Sequence, residues 1–262
     1  MSNQGEAEQM FDLRERVVLV TGGAVGIGRV YVEALCVAGV RTVIADIARE
    51  AGETLASRLE KEQRECLFMP TDISQEGDVA RLVERASERF GRIDAIINNA
   101  SLMSSLPRRS WLEIPLAEWD RVMAVDLRGL FLCCRAVVPY MKRQGAGKIV
   151  NITSTRVFEG TPNRLHYTTA KAGVVGFTRA LARELGADNI CVNAVAPGLT
   201  LSDTQIATSK TGYLSSGYDE GRAFARSQHP QDLVGAVMFL LSHASDFITG
   251  QTLVVDGGRF MH

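Results

Sequence analysis

A surplus of charge of either sign is missing from this chain. Its 262 residues carry 29 Lys and Arg against 30 Asp and Glu, a formal net charge of −1, so the clustered basic surface that binds nucleic acid is absent and that partner is excluded. Arg108-Arg109 and Lys142-Arg143 are short basic pairs and read as solvated surface. Cysteine is scarce too. Cys36, Cys66, Cys133, Cys134 and Cys191 are odd in number and form no C-x-x-C pair, which points to reduced core thiols of a cytoplasmic protein and away from a disulfide scaffold. The histidines at 166, 229, 243 and 262 are scattered without ligand spacing, so no metal is expected. No apolar run reaches the ~18 residues of a membrane span. The first ten residues are polar and acidic without a secretory pattern, so a soluble, cytoplasmic protein with no membrane partner is expected.

What is present is the balance of a globular chain, 46 % hydrophobic and 23 % charged. Residues 1–12 read as a polar tail and 13–262 as one domain. Short β-branched runs at Val17–Thr21, Thr42–Ala45, Cys66–Met69, Ala95–Asn98, Lys148–Ile152, Ile190–Val195 and Thr252–Val255 predict seven buried strands. Between them Gly26–Ala38, Glu50–Glu62, Glu76–Phe90, Leu116–Lys142, Tyr167–Gly186 and Gln231–Leu241 have helical apolar spacing. Alternation of this kind predicts a single-domain α/β Rossmann fold, a doubly wound seven-stranded parallel sheet with helices on both faces. The stretch Leu201–Gln228 has neither period and is rich in Ser, Thr, Gly and Asp. A segment of that length predicts a functional loop, here one that covers substrate.

The first strand runs into Thr21-Gly22-Gly23-Ala24-Val25-Gly26-Ile27-Gly28 and then a helix. Missing Cβ atoms and the free N–H groups of a helix start suit a pyrophosphate. The second strand ends at Asp46, whose carboxylate can accept from a ribose hydroxyl and would repel a 2′-phosphate, so NAD is expected over NADP. Two more strand ends, Asp72-Ile73 and Asn98-Asn99-Ala100-Ser101, lie where an open α/β sheet takes its ligands. Asp72 is placed at the adenine amino group, with Asn98 and Ala100 meeting the adenosine side through backbone.

The fifth strand ends at Ser154, and thirteen residues on comes Tyr167-Thr168-Thr169-Ala170-Lys171. Spacing of i, i+4 puts Tyr167 and Lys171 on one helical face. A phenol is a poor base at neutral pH, and a neighbouring ammonium favours its phenolate. Ser154 can hydrogen-bond the substrate oxygen that Tyr167 also meets. The three form one proton-handling unit.

With TGxxxGxG, NNA, serine, YxxxK and PG in this order, the chain resembles the short-chain dehydrogenase/reductase family over roughly Leu13 to Gly258. The resemblance implies that Gly22, Val25, Gly26, Ile27 and Gly28 bind the dinucleotide, with Ile47 beside Asp46 and Ile73 beside Asp72. It implies that Tyr167 and Lys171 also touch the nicotinamide ribose, and that Pro197, Gly198, Leu199 and Thr200 lie by the nicotinamide. A homotetramer is the family expectation. Phe158–Asn163, Gly176–Ala182 and Ile248–Leu253 are similar to the bacterial NAD-dependent pyridoxal 4-dehydrogenase and 1-phenylethanol dehydrogenase subgroups, which suggests a secondary, aryl or cyclic hemiacetal-type alcohol as the small-molecule substrate.

Two positions depart from the family pattern. Asp126 stands where the family usually has asparagine, whose backbone carbonyl serves a proton relay; Asp126 keeps that carbonyl but adds a charge that would raise the pKa of Tyr167. Ser101 stands where glycine is common and narrows the space beside the nicotinamide. The substrate pocket is expected from Ser101, Leu102, Met103, Arg156, Phe158, Asn163, His166 and the 201–228 loop. The leading expectation is therefore an alcohol dehydrogenase with Tyr167 as general acid/base. A ketone or 3-oxoacyl reductase working in the opposite direction and a non-catalytic dinucleotide sensor are the alternatives. A dinucleotide-using epimerase or dehydratase is disfavoured by the short stretch after Pro197-Gly198.

Overall fold

Strand β1 (Val17–Thr21) lies inside the sheet, with every one of its residues buried. Its alternate side chains serve opposite faces: Val18 and Val20 join one apolar core, Val17 and Leu19 the other. A computed structural model describes residues 9–208 and 221–261. Around β1 it arranges β2 (Arg41–Asp46), β3 (Cys66–Pro70), β4 (Ala95–Asn98), β5 (Gly147–Ile152), β6 (Ile190–Pro197) and β7 (Thr252–Val255). The sheet has seven parallel strands in the order β3-β2-β1-β4-β5-β6-β7.

Helices α1 (Gly26–Val37) and α2 (Arg49–Lys61) pack on one face through Tyr31, Leu35, Leu55 and Leu59. Helix α3 (Glu76–Phe90) packs on the other through Val79, Leu82 and Val83. The chain winds from β1 to one edge and then returns to β4 for the other. The crevice at that reversal, above the C-terminal ends of β1 and β4, is where such a sheet holds ligands.

The predicted helix Leu116–Lys142 is three segments: α4 (Leu116–Met123), a π-helical turn (Ala124–Gly129) and α5 (Leu130–Gln144). Apolar periodicity is blind to one widened turn, which is why the break was not legible; such turns recur at functional sites. A short helix α6 (Arg156–Glu159) follows β5, and α7 (Leu165–Leu185) begins two residues earlier than predicted, setting Tyr167 in its first turn. Within the expected loop 201–228, Asp203–Thr208 is a short helix, α8; residues 209–220 lie outside the described residues, as do 1–8 of the expected tail. Helix α9 (Gln231–Leu241) closes the first face through Leu233, Val237 and Leu240.

Candidate active site

The glycine turn after β1 is shaped by contacts that leave no room for a side chain. Gly22 has φ +63°, and a Cβ on Gly28 would lie 1.9 Å from the Gly22 carbonyl oxygen. The turn therefore folds back on the start of α1, where Gly26 and Ile27 line an open cavity. Asp46, at the end of β2, accepts from Ala24 N at 2.9 Å and from Ala48 N at 3.0 Å. Its carboxylate thus pins the turn while it lines the cavity.

That cavity, about 560 Å³, runs from Asp46, Ile47, Asp72 and Ile73 past Gly22, Val25, Gly26 and Ile27 to Ser154 and Tyr167. Pro197, Gly198, Leu199 and Thr200 wall its far side. One Asp72 carboxylate oxygen accepts from Ser74, at 2.9 Å from N and 2.7 Å from Oγ. Helix α8 leans over the glycine turn: Arg29 of α1 pairs with Asp203 at 3.0 Å, and Thr204 Oγ1 is 2.9 Å from where a Gly26 Cβ would stand.

The structure places some predicted residues elsewhere. Gly28 is a packing position behind the turn. Asn98 is turned into the sheet, donating to Asn151 Oδ1 at 2.9 Å, and Asn151 in turn donates to Thr178 Oγ1 at 2.9 Å. This buried polar chain ties β4, β5 and α7 together. Its neighbour Asn99 lines the cavity instead and donates to the carbonyls of Thr21 and Gly22, both at 3.0 Å. Strand alternation sends the Asn98 side chain inward and that of Asn99 to the crevice, while the Asn98 backbone, the part expected to meet adenosine, ends strand β4.

At the other end, Ser101, Met103, Ala100 and Arg156 line the cavity. Phe158 stacks on Phe260, centroids 5.1 Å apart, and His166 is fully buried with Nε2 3.1 Å from Glu118 Oε1. Neither reaches the cavity wall. Arg164, three residues before Tyr167, does; its position one turn from the tyrosine was the signal that could have found it.

Behind Tyr167 lies a buried ionic cluster. Lys171 Nζ donates to the Ile152 carbonyl at 2.9 Å and lies 3.6 Å from Asp126 Oδ2. Asp126 also accepts from Ser101 Oγ at 2.5 Å and from Leu102 N at 3.0 Å. The π-helical turn makes this possible by presenting Asp126 inward, and the two departures from the family pattern meet in one hydrogen bond. Burial pushes the Tyr167 phenol up to about 12, the Asp126 charge adds to the rise, and Ser154, Arg156 and Arg164 oppose it. Burial pulls the Lys171 ammonium down, and Asp126 holds it up. Lys171 Nζ lies 5.8 Å from the centre of the Tyr167 ring.

A family model described as enoyl-(acyl carrier protein) reductase matches residues 22–259. The chain belongs to the short-chain dehydrogenase/reductase family. It is 36 % identical to the "probable galactose dehydrogenase" of Rhizobium meliloti, over 97 % of this chain and 98 % of that one. It is also 36 % identical to the cis-4-hydroxycyclohexanecarboxylate dehydrogenase of Sinomonas cyclohexanicum, over 93 % of this chain and 96 % of that one. Crystalline levodione reductase superposes with a TM-score of 0.87 at 31 % identity, covering 94 % of this chain and 98 % of that one. As a member of this family the chain is a dinucleotide-binding oxidoreductase.

Proposed function

We propose that this chain is an NAD-dependent dehydrogenase that interconverts a ring-borne or ring-adjacent alcohol, secondary, aryl or cyclic hemiacetal-type, with its carbonyl. The observation that carries the reading is the meeting of Ser154 and Tyr167 on one cavity wall with Lys171 and Asp126 behind them. The likeness to relatives named for galactose and for a hydroxycyclohexanecarboxylate supports a hydroxyl on a ring; the sequence resemblance to pyridoxal 4-dehydrogenase and 1-phenylethanol dehydrogenase supports one on a carbon attached to an aromatic ring.

The residues present fit a dinucleotide. The Cβ-free cradle at Gly22 and Gly26 suits the pyrophosphate, and the Asp46 carboxylate suits an unphosphorylated ribose. Among the described residues no Lys or Arg lines the cavity beside Asp46, Ile47 and Ala48, which favours NAD. When bound, the nicotinamide supplies the hydride acceptor and a positive charge. Tyr167 takes the proton from the substrate hydroxyl, and Ser154 holds that oxygen as charge develops on it. Lys171 and Asp126 set how readily the phenol gives up its own proton. Ser101, touching both Asp126 and the cavity, offers a way out for that proton.

Helix α8 over the glycine turn supports residues 201–228 as the segment that covers the substrate. Cys36, Cys66, Cys133, Cys134 and Cys191 are all unbridged, which supports a cytoplasmic setting. Among the described residues no helix is long and apolar enough to cross a membrane. Exposed Phe247 and Leu253, beside and on the edge strand β7, support the homotetramer expected from the family.

A second reading, a ketone or 3-oxoacyl reductase working the other way, is favoured by the phenol held near 12, which keeps its proton to give. One assay tests both: the purified chain with NAD or NADP and a panel of cyclic alcohols, aryl carbinols, sugars and pyridoxal, then the matching ketones with reduced cofactor. Turnover with NAD and a cyclic or aryl alcohol is expected. Tight NAD binding without turnover of any alcohol or carbonyl would replace the proposal with a nucleotide sensor.

A further inference from the structure

Residues 256–261, after β7, form a strap that meets helix α6 on side chains outside the cavity lining. The path of the strap is fixed at its root. Asp256 is buried, and its carboxylate accepts from Gly258 N at 2.9 Å, Arg259 N at 3.1 Å and Phe260 N at 2.8 Å. Gly257 and Gly258 turn the backbone through φ +73° and +75°, the left-handed region that favours glycine. This turn delivers Arg259 and Phe260 to α6. The Phe260 ring stacks on Phe158 with 18° between the planes, and Arg259 Nε lies 3.5 Å from Glu159 Oε1.

Helix α6 needs such an anchor. It has four residues, too few to persist on its own hydrogen bonds, so tertiary contacts set its position. It also stands next to the chemistry: Arg156 N, at its first residue, donates to Ser154 Oγ at 3.3 Å. That bond occupies one lone pair of the serine oxygen and leaves the hydroxyl hydrogen for an acceptor. Ser154 is hydrogen-bonded to Tyr167, and this bond lowers the phenol's pKa. A shift of α6 therefore moves the N–H that orients Ser154.

We infer that Phe260 is a positioning residue for Ser154: with Arg259 it holds α6 through Phe158 and Glu159, and α6 holds the serine hydroxyl in its working orientation. The effect on turnover rests on the dehydrogenase reading, whereas the hold on α6 stands on these contacts alone. Phe260 lies outside the residues that line the cavity, so it acts through α6 and not by touching cofactor or substrate.

Turnover tests the role first. The native chain, Phe260→Ala, Phe158→Ala, the double variant and Phe260→Tyr are compared with saturating NAD and the best alcohol of the panel. Each alanine variant is expected to lower kcat about 5–10-fold with NAD affinity unchanged, the double variant to lose little more than either single one, and Phe260→Tyr, which keeps the ring, to stay within about twofold of native. In a Ser154→Ala background Phe260→Ala is expected to cost no further kcat, because the group it positions is gone. A kcat kept in Phe260→Ala, or a loss equally large with and without Ser154, overturns the role. A strap that only braces the fold lowers thermal stability and gives one of those two results. Hydrogen exchange on the NAD-loaded protein separates the inference from the dehydrogenase reading. Faster exchange at amides 156–160 in Phe260→Ala is expected, with amides 22–28 unchanged; unchanged exchange at α6 overturns the inference even in an active enzyme. Faster exchange there, with no turnover of any alcohol or carbonyl by the native chain, keeps the hold on α6 and removes the dehydrogenase reading together with the effect on turnover.

Discussion

Burial makes Tyr167 hard to deprotonate, and the Asp126 charge adds to it. A carboxylate within reach of the Lys171 ammonium stabilises that cation in a buried place, and it also opposes a second negative charge on the phenol. In the direction of alcohol oxidation the phenolate is the working form. Asp126→Asn removes the charge that helps raise the phenol's pKa, so the acid limb of kcat/KM against pH is expected to move to lower pH. Matching pH–rate profiles for the two proteins would contradict this. Asp46 makes a parallel prediction about cofactor choice. Its charge faces the ribose end, so Asp46→Ser should improve the use of NADP relative to NAD by on the order of tenfold, read as the ratio of the two kcat/KM values. An unchanged ratio would mean that its hold on Ala24 and Ala48 is its whole role.

At the scale of elements, the site is a set of strand ends and helix starts, and those were the parts most legible in the sequence. Seven strands and the glycine turn were found because β-branched runs and missing side chains mark them directly. The π-helical turn Ala124–Gly129 was not legible, because it preserves apolar spacing on both flanks while rotating one carboxylate into the interior. Spacing likewise names the strand end but not which of Asn98 and Asn99 turns its side chain to the crevice. Arg164 escaped notice because a charged residue before a helix reads as surface until the fold shows it buried. Two element-level predictions follow from packing. Gly28→Ala puts a methyl against the Gly22 carbonyl and should cost about 1–3 kcal/mol while weakening NAD binding; an NAD affinity equal to the native chain's would sink that reading. Asn151→Ala leaves Asn98 and Thr178 short of partners in the interior and should also cost about 1–3 kcal/mol in thermal or urea unfolding. A loss below 0.5 kcal/mol, about the scatter of neutral surface changes, would show the chain of amides to be dispensable.

Over the whole molecule, the arrangement separates two tasks. The β1–β3 half supplies the cradle and an acidic end, while the β4–β6 half supplies the proton-handling groups and the arginines. The reversal of strand order brings the two halves to one crevice, so a single cavity spans recognition and chemistry. Exposed Phe247 and Leu253 near the β7 edge fit burial against other copies, and light scattering is expected to return four chain masses; a monodisperse monomer would contradict that. Everything chemical in this account converges on the Tyr167 hydroxyl. Its most direct test is Tyr167→Phe, assayed with saturating NAD and the best alcohol of the panel alongside a titration of NAD binding. The account predicts a fall in kcat of about 10²–10⁴-fold with cofactor affinity kept. A variant that turns over as fast as the native chain would contradict it.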